Sequence, residues 1–93
     1  MIERFCEAME LEAGLAAASV ASYRRDLQLA QRLCEKSLAD FATADVQAVL
    51  ARMLDLQRKP SSLARMRASL RRFFGWMVEE RLRADDPSAL LEA

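Results

Sequence analysis

Arginine is the residue type most able to do chemistry in this sequence, and it is concentrated in one segment. Residues 58–72 contain six arginine or lysine side chains and no acidic residue. A guanidinium group neutralises phosphates and donates paired hydrogen bonds to guanine, so such a cluster is typical of a nucleic-acid contact. The competing interpretation is a chance cluster of solvated arginines on an ordinary helix surface.

The arginines lie within a segment that has the apolar periodicity of an α-helix. Its apolar residues recur at spacings of three and four and therefore share one face; they are Leu63, Met66, Leu70, Phe73, Phe74 and Met77. Arg65 and Arg72 fall near the opposite face. Ser61 or Ser62 is expected to cap this helix, which we predict to end near Arg81. The segment therefore predicts a helix with one buried face and one basic face.

Three other residues of this segment fit the pattern less simply. Arg67 lies at the edge of the apolar arc, where it could extend to the surface or pair with an acidic residue of the first helix. Arg71 is predicted to lie near a phosphate. Trp76 is expected to point away from the apolar stripe and to cover Leu29 or Leu33, or to contact a part of the protein outside this chain.

A second predicted helix carries a comparable polar face. It begins between Ala17 and Ser19 and ends near Lys36. Its apolar stripe consists of Val20, Tyr23, Leu27, Ala30 and Cys34. A different face carries Arg25, Gln28, Arg32 and Lys36 at spacings of three and four. Because arginine and glutamine donate to phosphates or base edges, this face too is a candidate for DNA contact.

With the remaining elements, the sequence predicts an all-α fold. The 93 residues are expected to form a single domain, a compact bundle of four main helices plus a short C-terminal helical turn. The first helix is expected over residues 2–13, ended by a left-handed Gly14. Thr43 is expected to cap a third helix over residues 44–56. The final helical turn is expected over residues 88–92.

The net charge is zero, but the charged residues are segregated. Residues 1–16 hold four glutamates against Arg4 alone, and residues 79–92 are again mainly acidic. The basic cluster lies between these acidic stretches. A neutral domain with segregated charge can still present a strongly positive face.

The sequence offers little to a catalyst or a metal site. It has no histidine, the most common general base, and no glycine-rich phosphate-binding loop. Cys6 and Cys34 are far apart, so we expect two reduced, buried thiols, with neither a metal nor a cofactor. Asp85 and Asp86 precede Pro87, which is more typical of a turn than of a metal site.

Membrane insertion and secretion are not expected. No apolar run approaches the roughly 20 residues that span a bilayer, and the first residues are too acidic for a signal peptide. We therefore expect a cytoplasmic location.

The order of these motifs resembles the N-terminal core-binding domain of tyrosine recombinases, in particular the bacterial Xer-type proteins. The resemblance rests on GLAAASVASYRRDL over residues 14–27, TADVQAVLARML over residues 43–54, and the segment from residue 61 to residue 93. The SYRRDL motif and the ADDPSALL motif near the end are its most specific parts.

The resemblance implies a SAM-like domain that forms half of a clamp around a recombination half-site, with the second and fourth helices crossing the major groove. The positions that match DNA-contacting residues are Ser22, Arg24, Arg25, Ser61, Ser62 and Arg65; periodicity adds Gln28, Arg32 and Arg72. Implied partners are double-stranded DNA and a second recombinase protomer in a tetrameric synapse, with no small-molecule substrate. The implied process is site-specific recombination for chromosome dimer resolution. The catalytic residues of the family belong to a domain that these 93 residues do not match, so the chain itself is not expected to be an enzyme.

The sequence departs from the family pattern at two places. Similar proteins usually carry leucine where this chain has Arg67, and often serine where it has Ala68. Residues 16–19 replace a usual Ser-x-Asn-Thr, which leaves Ser19 as the expected cap of the second helix.

Two other functions compete with DNA binding. One is a helical protein–protein interaction module, in which the acidic first helix docks on the basic face of a neighbour. The other is a helix-turn-helix regulator, which the long fourth helix and the lack of a short three-helix unit disfavour.

Overall fold

The computed structural model describes residues 1–91, which form four α-helices and one short 3₁₀ helix. The elements are α1 (Ile2–Leu11), α2 (Ala17–Cys34), the 3₁₀ helix (Leu38–Asp40), α3 (Thr43–Asp55) and α4 (Pro60–Glu79). The all-α prediction is confirmed. Helix α2 contacts each of the other three α-helices and therefore lies at the centre of the bundle. None of these helices is both long enough and apolar enough to cross a bilayer.

The apolar stripe predicted on α4 is buried in full. Its members are each 4% exposed or less: Leu63, Met66, Leu70, Phe73, Phe74 and Met77. Phe5 of α1 packs edge-on against Phe73, with ring centroids 5.4 Å apart. Phe41, which follows the 3₁₀ helix, contacts Phe74 from another side at 6.3 Å. These rings bury large apolar areas and hold α1 and the 3₁₀ segment against α4.

Trp76 belongs to the core, so the prediction that it points away from the buried stripe is wrong. It is 6% exposed, and its ring lies 5.6 Å from that of Phe5 in α1. Its indole Nε1 is buried and has no hydrogen-bond partner within residues 1–91. Leu29 and Leu33, which Trp76 was expected to cover, are partly buried against the core.

Helix α4 begins earlier than predicted, at Pro60, with Lys59 as its N-cap. Ser61 and Ser62 therefore lie inside the first turn, and their prediction as caps is wrong. Proline suits this position because its fixed φ is already helical and the first helical N–H needs no intrahelical partner.

The N-termini of α3 and α2 also differ from the prediction. The N-cap of α3 is Ala42, so Thr43 is the first helical residue and not the cap. The Asp45 carboxylate accepts a hydrogen bond from the Ala42 backbone N–H at 2.8 Å and so performs half of a capping box. Helix α2 has Ala16 at its N-cap with no side-chain hydrogen bond, and Ser19 lies within the helix.

A left-handed residue follows each of the four α-helices. Gly14 has φ of 66° after α1, as predicted. Glu35 ends α2 at φ 48°, Gln57 follows α3 at φ 56°, and Arg81 follows α4 at φ 57°. Each of the four helices ends one or two residues earlier than the periodicity predicted. A side chain in this conformation costs roughly 1 kcal/mol relative to glycine, so neighbouring contacts must hold Glu35, Gln57 and Arg81 in place.

The segment after α4 forms a hydrogen-bonded turn in place of the predicted helical turn. The backbone N–H of Leu91 donates to Ser88 O at 3.0 Å, and the Asp86 carboxylate accepts from the Ser88 N–H at 2.8 Å. Residue 92, the last of the predicted helical turn, lies outside the described residues. Arg71 of α4 donates to the Leu91 carbonyl and ties this segment to the bundle.

The two cysteines are free thiols. Cys6 is buried, and Cys34 is partly buried with its Sγ 3.4 Å from the Asp45 carbonyl oxygen. Burial raises the pKa of both thiols and so makes them poor nucleophiles at neutral pH. Within residues 1–91, no three histidine, cysteine or acidic side chains come together as a metal site would need.

Candidate nucleic-acid interface

Helices α2 and α4 pack together and leave a concavity between them, which we call the α2–α4 groove. It has a volume of about 210 Å³ and is lined by Ser19, Ser22, Tyr23, Arg65, Ala68 and Ser69. Ser22 and Arg65 were both predicted to contact DNA, although they are far apart in the sequence. The fold therefore brings together one candidate from the SYRRDL motif and one from the arginine-rich segment.

A buried carboxylate beneath this groove holds Arg65. Asp26 of α2 is 4% exposed. It accepts hydrogen bonds from Arg65 Nε at 3.1 Å and from Arg65 Nη2 at 3.2 Å. Ser69 of α4 donates a third, at 2.8 Å. An ionised carboxylate can be buried only when it is paired and hydrogen-bonded, and here α4 supplies all three donors.

Sequence reasoning missed Asp26, although a signal was present. Asp26 lies three residues after Tyr23 and four before Ala30, within the arc that the apolar stripe of α2 occupies. An acidic residue in such an arc needs a cationic partner from another element. That requirement points to an arginine on a neighbouring helix, though not to which one.

Arg24 is engaged by the first helix. Its Nε lies 2.9 Å from Glu3 Oε2 and its Nη2 3.0 Å from Glu3 Oε1, so the pair is two-pronged. The hydrogen bond to Arg24 lowers the pKa of Glu3 below its ordinary value, and the same bond raises the pKa of Arg24. A phosphate that approached Arg24 would compete with Glu3.

The ion pair between α1 and a neighbouring helix is made by Arg24 and not by Arg67. Arg67 is half-buried on α4 and forms no ion pair within the described residues. The predicted pairing of Arg67 with an acidic residue of α1 is therefore wrong. The alternative prediction, that the Arg67 side chain extends to the surface, agrees with its partial exposure.

The polar face of α2 is open to solvent over most of its length. Arg25, Gln28 and Arg32 are exposed. Lys36, at the end of this face, forms an ion pair with Asp45 of α3 at 2.9 Å. The hydrogen bond from the Ala42 backbone N–H is the main cause that lowers the pKa of Asp45, and the hydrogen bond from Lys36 lowers it further. Lys36 is therefore committed to α3, whereas the two arginines make no ion pair within the described residues.

The remaining candidates on α4 lie in different places. Ser61 is exposed and Ser62 half-buried at the start of the helix. Arg72 is exposed two turns beyond Arg65, where it lines a cleft between α1 and α4 together with Glu12 and other acidic residues. The structure therefore groups Ser22 with Arg65 and places Arg72 outside the α2–α4 groove.

This helical domain belongs to a known class. The chain is a member of the family of phage integrase N-terminal SAM-like domains, which matches residues 2–81. The resemblance to tyrosine recombinases that the sequence motifs carried is thereby confirmed.

Particular relatives define the class further. The tyrosine recombinase XerD of Proteus mirabilis is 46% identical over 94 residues, which cover 98% of this chain and 30% of the relative. XerD of Vibrio cholerae serotype O1 is 40% identical over 96 residues, covering 98% of the chain and 31% of the relative. XerD of Brucella suis biovar 1 is 39% identical over 95 residues, covering 99% and 31%. The chain thus spans about 30% of the length of these curated relatives. No solved structure matches it significantly.

Proposed function

We propose that this chain is the DNA-binding domain of a site-specific tyrosine recombinase and that it holds a recombination half-site through α2 and α4. The observation that carries the proposal is the α2–α4 groove, in which Ser22 and Arg65 line one concavity. Residues from two helices that converge on one surface can contact a duplex together. The family membership and the relatives named tyrosine recombinase XerD support the same function.

The cations of the proposed interface divide into two groups. Arg24 and Arg65 are each held by a carboxylate on a neighbouring helix. Arg25, Arg32 and Arg72 are exposed and make no ion pair within residues 1–91. We assign phosphate neutralisation to this second group, because an unpaired guanidinium brings a full charge to the DNA backbone.

The whole protein is proposed to be a Xer-type recombinase that acts in chromosome dimer resolution, with a second recombinase protomer in a tetrameric synapse. The support is the identity of up to 46% with proteins named tyrosine recombinase XerD. Strand cleavage is assigned to residues outside these 93, so the chain is expected to bind duplex DNA without cutting it.

Fluorescence anisotropy with a short labelled DNA duplex, repeated over a series of salt concentrations, tests the proposal. With three phosphates neutralised, log affinity should fall against log salt with a slope of roughly −3. The double variant Arg25→Gln, Arg32→Gln should reduce the magnitude of that slope by about 2. Arg52→Gln, an exposed arginine on α3, is the matched control and should leave the slope unchanged. Absence of salt-dependent binding even at low ionic strength would overturn the proposed function.

A further inference from the structure

Arg65 presents one edge of its guanidinium to Asp26 and the other to the groove. A guanidinium is planar and carries five N–H donors in a fixed fork. Asp26 occupies the side formed by Nε and Nη2. The remaining edge, formed by Nη1 and the second N–H of Nη2, makes no hydrogen bond within the described residues. The Arg65 side chain is 54% exposed, so this edge is accessible from the groove.

Asp26 and Ser69 fix the orientation of this free edge. The Asp26 carboxylate is bound on both oxygens, because Ser69 donates to Oδ2 and Arg65 reaches Oδ1 and Oδ2. Asp26 and Ser69 lie on different helices, so the packing of α2 on α4 sets the position of the carboxylate. Arg65 therefore has little side-chain freedom left to lose when a ligand binds, and such preorganisation favours a geometrically specific contact.

The charge of the Asp26–Arg65 pair argues against a phosphate as its ligand. A phosphate is attracted by net positive charge, and the negative charge of the Asp26 carboxylate cancels the positive charge of Arg65. A guanine edge, by contrast, is neutral and offers two acceptors, O6 and N7, which match the spacing of a guanidinium edge. The exposed, unpaired Arg25, Arg32 and Arg72 are better suited to phosphates.

We propose that Arg65 reads a guanine edge in the major groove, and that Asp26 is the positioning residue that turns its Nη1–Nη2 edge towards the base. This inference rests on the proposed function, because it requires that the chain bind duplex DNA. It separates Arg65, which selects sequence, from the other arginines of the interface, which supply affinity.

The test is a selection from a pool of duplexes with randomised positions, in which the bound fraction is sequenced. The main variant is Asp26→Asn together with Arg65→Gln, which removes one positive and one negative charge and leaves the net charge unchanged. The wild-type chain should enrich guanine at one position, by about tenfold. The double variant should lose that enrichment, while its salt slope stays unchanged because its net charge is that of the wild type.

A matched control makes the same two kinds of substitution elsewhere. Asp55→Asn together with Arg52→Gln changes two exposed residues of α3 and should keep the guanine preference. Thermal unfolding followed by circular dichroism establishes that each variant is folded. If the double variant does not fold, Asp26→Asn alone replaces it. That single variant releases the charge of Arg65, so the guanine preference should weaken while the salt slope steepens by about 1.

The possible outcomes separate this inference from the proposed function. A wild-type chain that shows no salt-dependent binding would overturn the proposed function itself. A wild-type chain that binds DNA without enriching guanine at any position would overturn the inference alone. So would a folded double variant that keeps the guanine preference, or one whose salt slope falls in magnitude by about 1, because the latter would make Arg65 a phosphate contact.

Discussion

Helix α2 makes two ion pairs with the same two-pronged geometry. They differ in how far the carboxylate is exposed to solvent. Asp26 pairs with Arg65 of α4, and the carboxylate side chain is 6% exposed. Arg24 pairs with Glu3 of α1, and that carboxylate side chain is 69% exposed. Water can replace Arg24 as the partner of Glu3, but it has little access to Asp26. The comparison indicates that burial of the acid, and not the number of hydrogen bonds, decides how strongly each pair affects the fold.

The largest effect on stability is expected from Arg65→Ala. Among residues 1–91, the substitution leaves buried Asp26 with Ser69 as its one remaining side-chain donor, so the free energy of unfolding should fall by about 2 kcal/mol. Urea denaturation followed by far-UV circular dichroism measures the change. Arg24→Ala is the matched variant on the exposed pair and should have a clearly smaller effect. Equal losses from the two substitutions would contradict the importance of burial.

A smaller effect is expected from Ser69→Ala. Asp26 then loses one of its hydrogen bonds but keeps the cation, and the free energy of unfolding should fall by about 1 kcal/mol. Ser62→Ala is the control, because Ser62 lies half-buried on the same helix and its side chain makes no hydrogen bond within the described residues. If both alanine variants have the stability of the wild type, the Ser69 hydroxyl does not support the buried carboxylate.

The smallest effect is expected from Glu3→Gln, and it should depend on pH. Arg24 lowers the pKa of Glu3 in the folded chain below its ordinary value of 4.5. A lowered folded-state pKa contributes stability that is present above the unfolded pKa and is lost as the pH falls through the folded one. The wild type should therefore be slightly more stable than Glu3→Gln at neutral pH and equal to it in more acidic solution. Thermal unfolding of both chains over a pH series, at low salt, measures this difference. A difference that persists or grows as the pH falls below 4.5 would show that it does not arise from ionised Glu3.

Helical periodicity predicted the buried faces of α2 and α4 well, because burial on a helix repeats with the turn. The same arc on α2 contained Asp26, yet a charge in that arc is stable only through a partner on another helix. The local sequence does not show which residues that packing brings together. For the same reason, the pairing of Arg24 with Glu3 and the contact between Trp76 and Phe5 were not predicted.

The helix starts show a second limit of sequence reasoning. Serine and threonine are favoured caps, so Ser61, Ser62 and Thr43 were natural predictions. Proline instead begins α4 at Pro60, and Asp45 caps α3 from within its first turn. Several residue types can satisfy the first N–H groups of a helix, and a choice among adjacent candidates depends on the direction from which the chain enters.

Trp76 gives the bundle a built-in optical reporter. It is the one tryptophan of the 93 residues, and it is buried beside Phe5 at the contact between α1 and α4. Its emission should be that of an indole in an apolar environment and should shift to longer wavelength only when α1 leaves the bundle and admits water. Arg65 and Asp26 lie at a different contact, that of α2 with α4. During a DNA titration, the fluorescence of Trp76 therefore reports whether the contact between α1 and α4 stays intact.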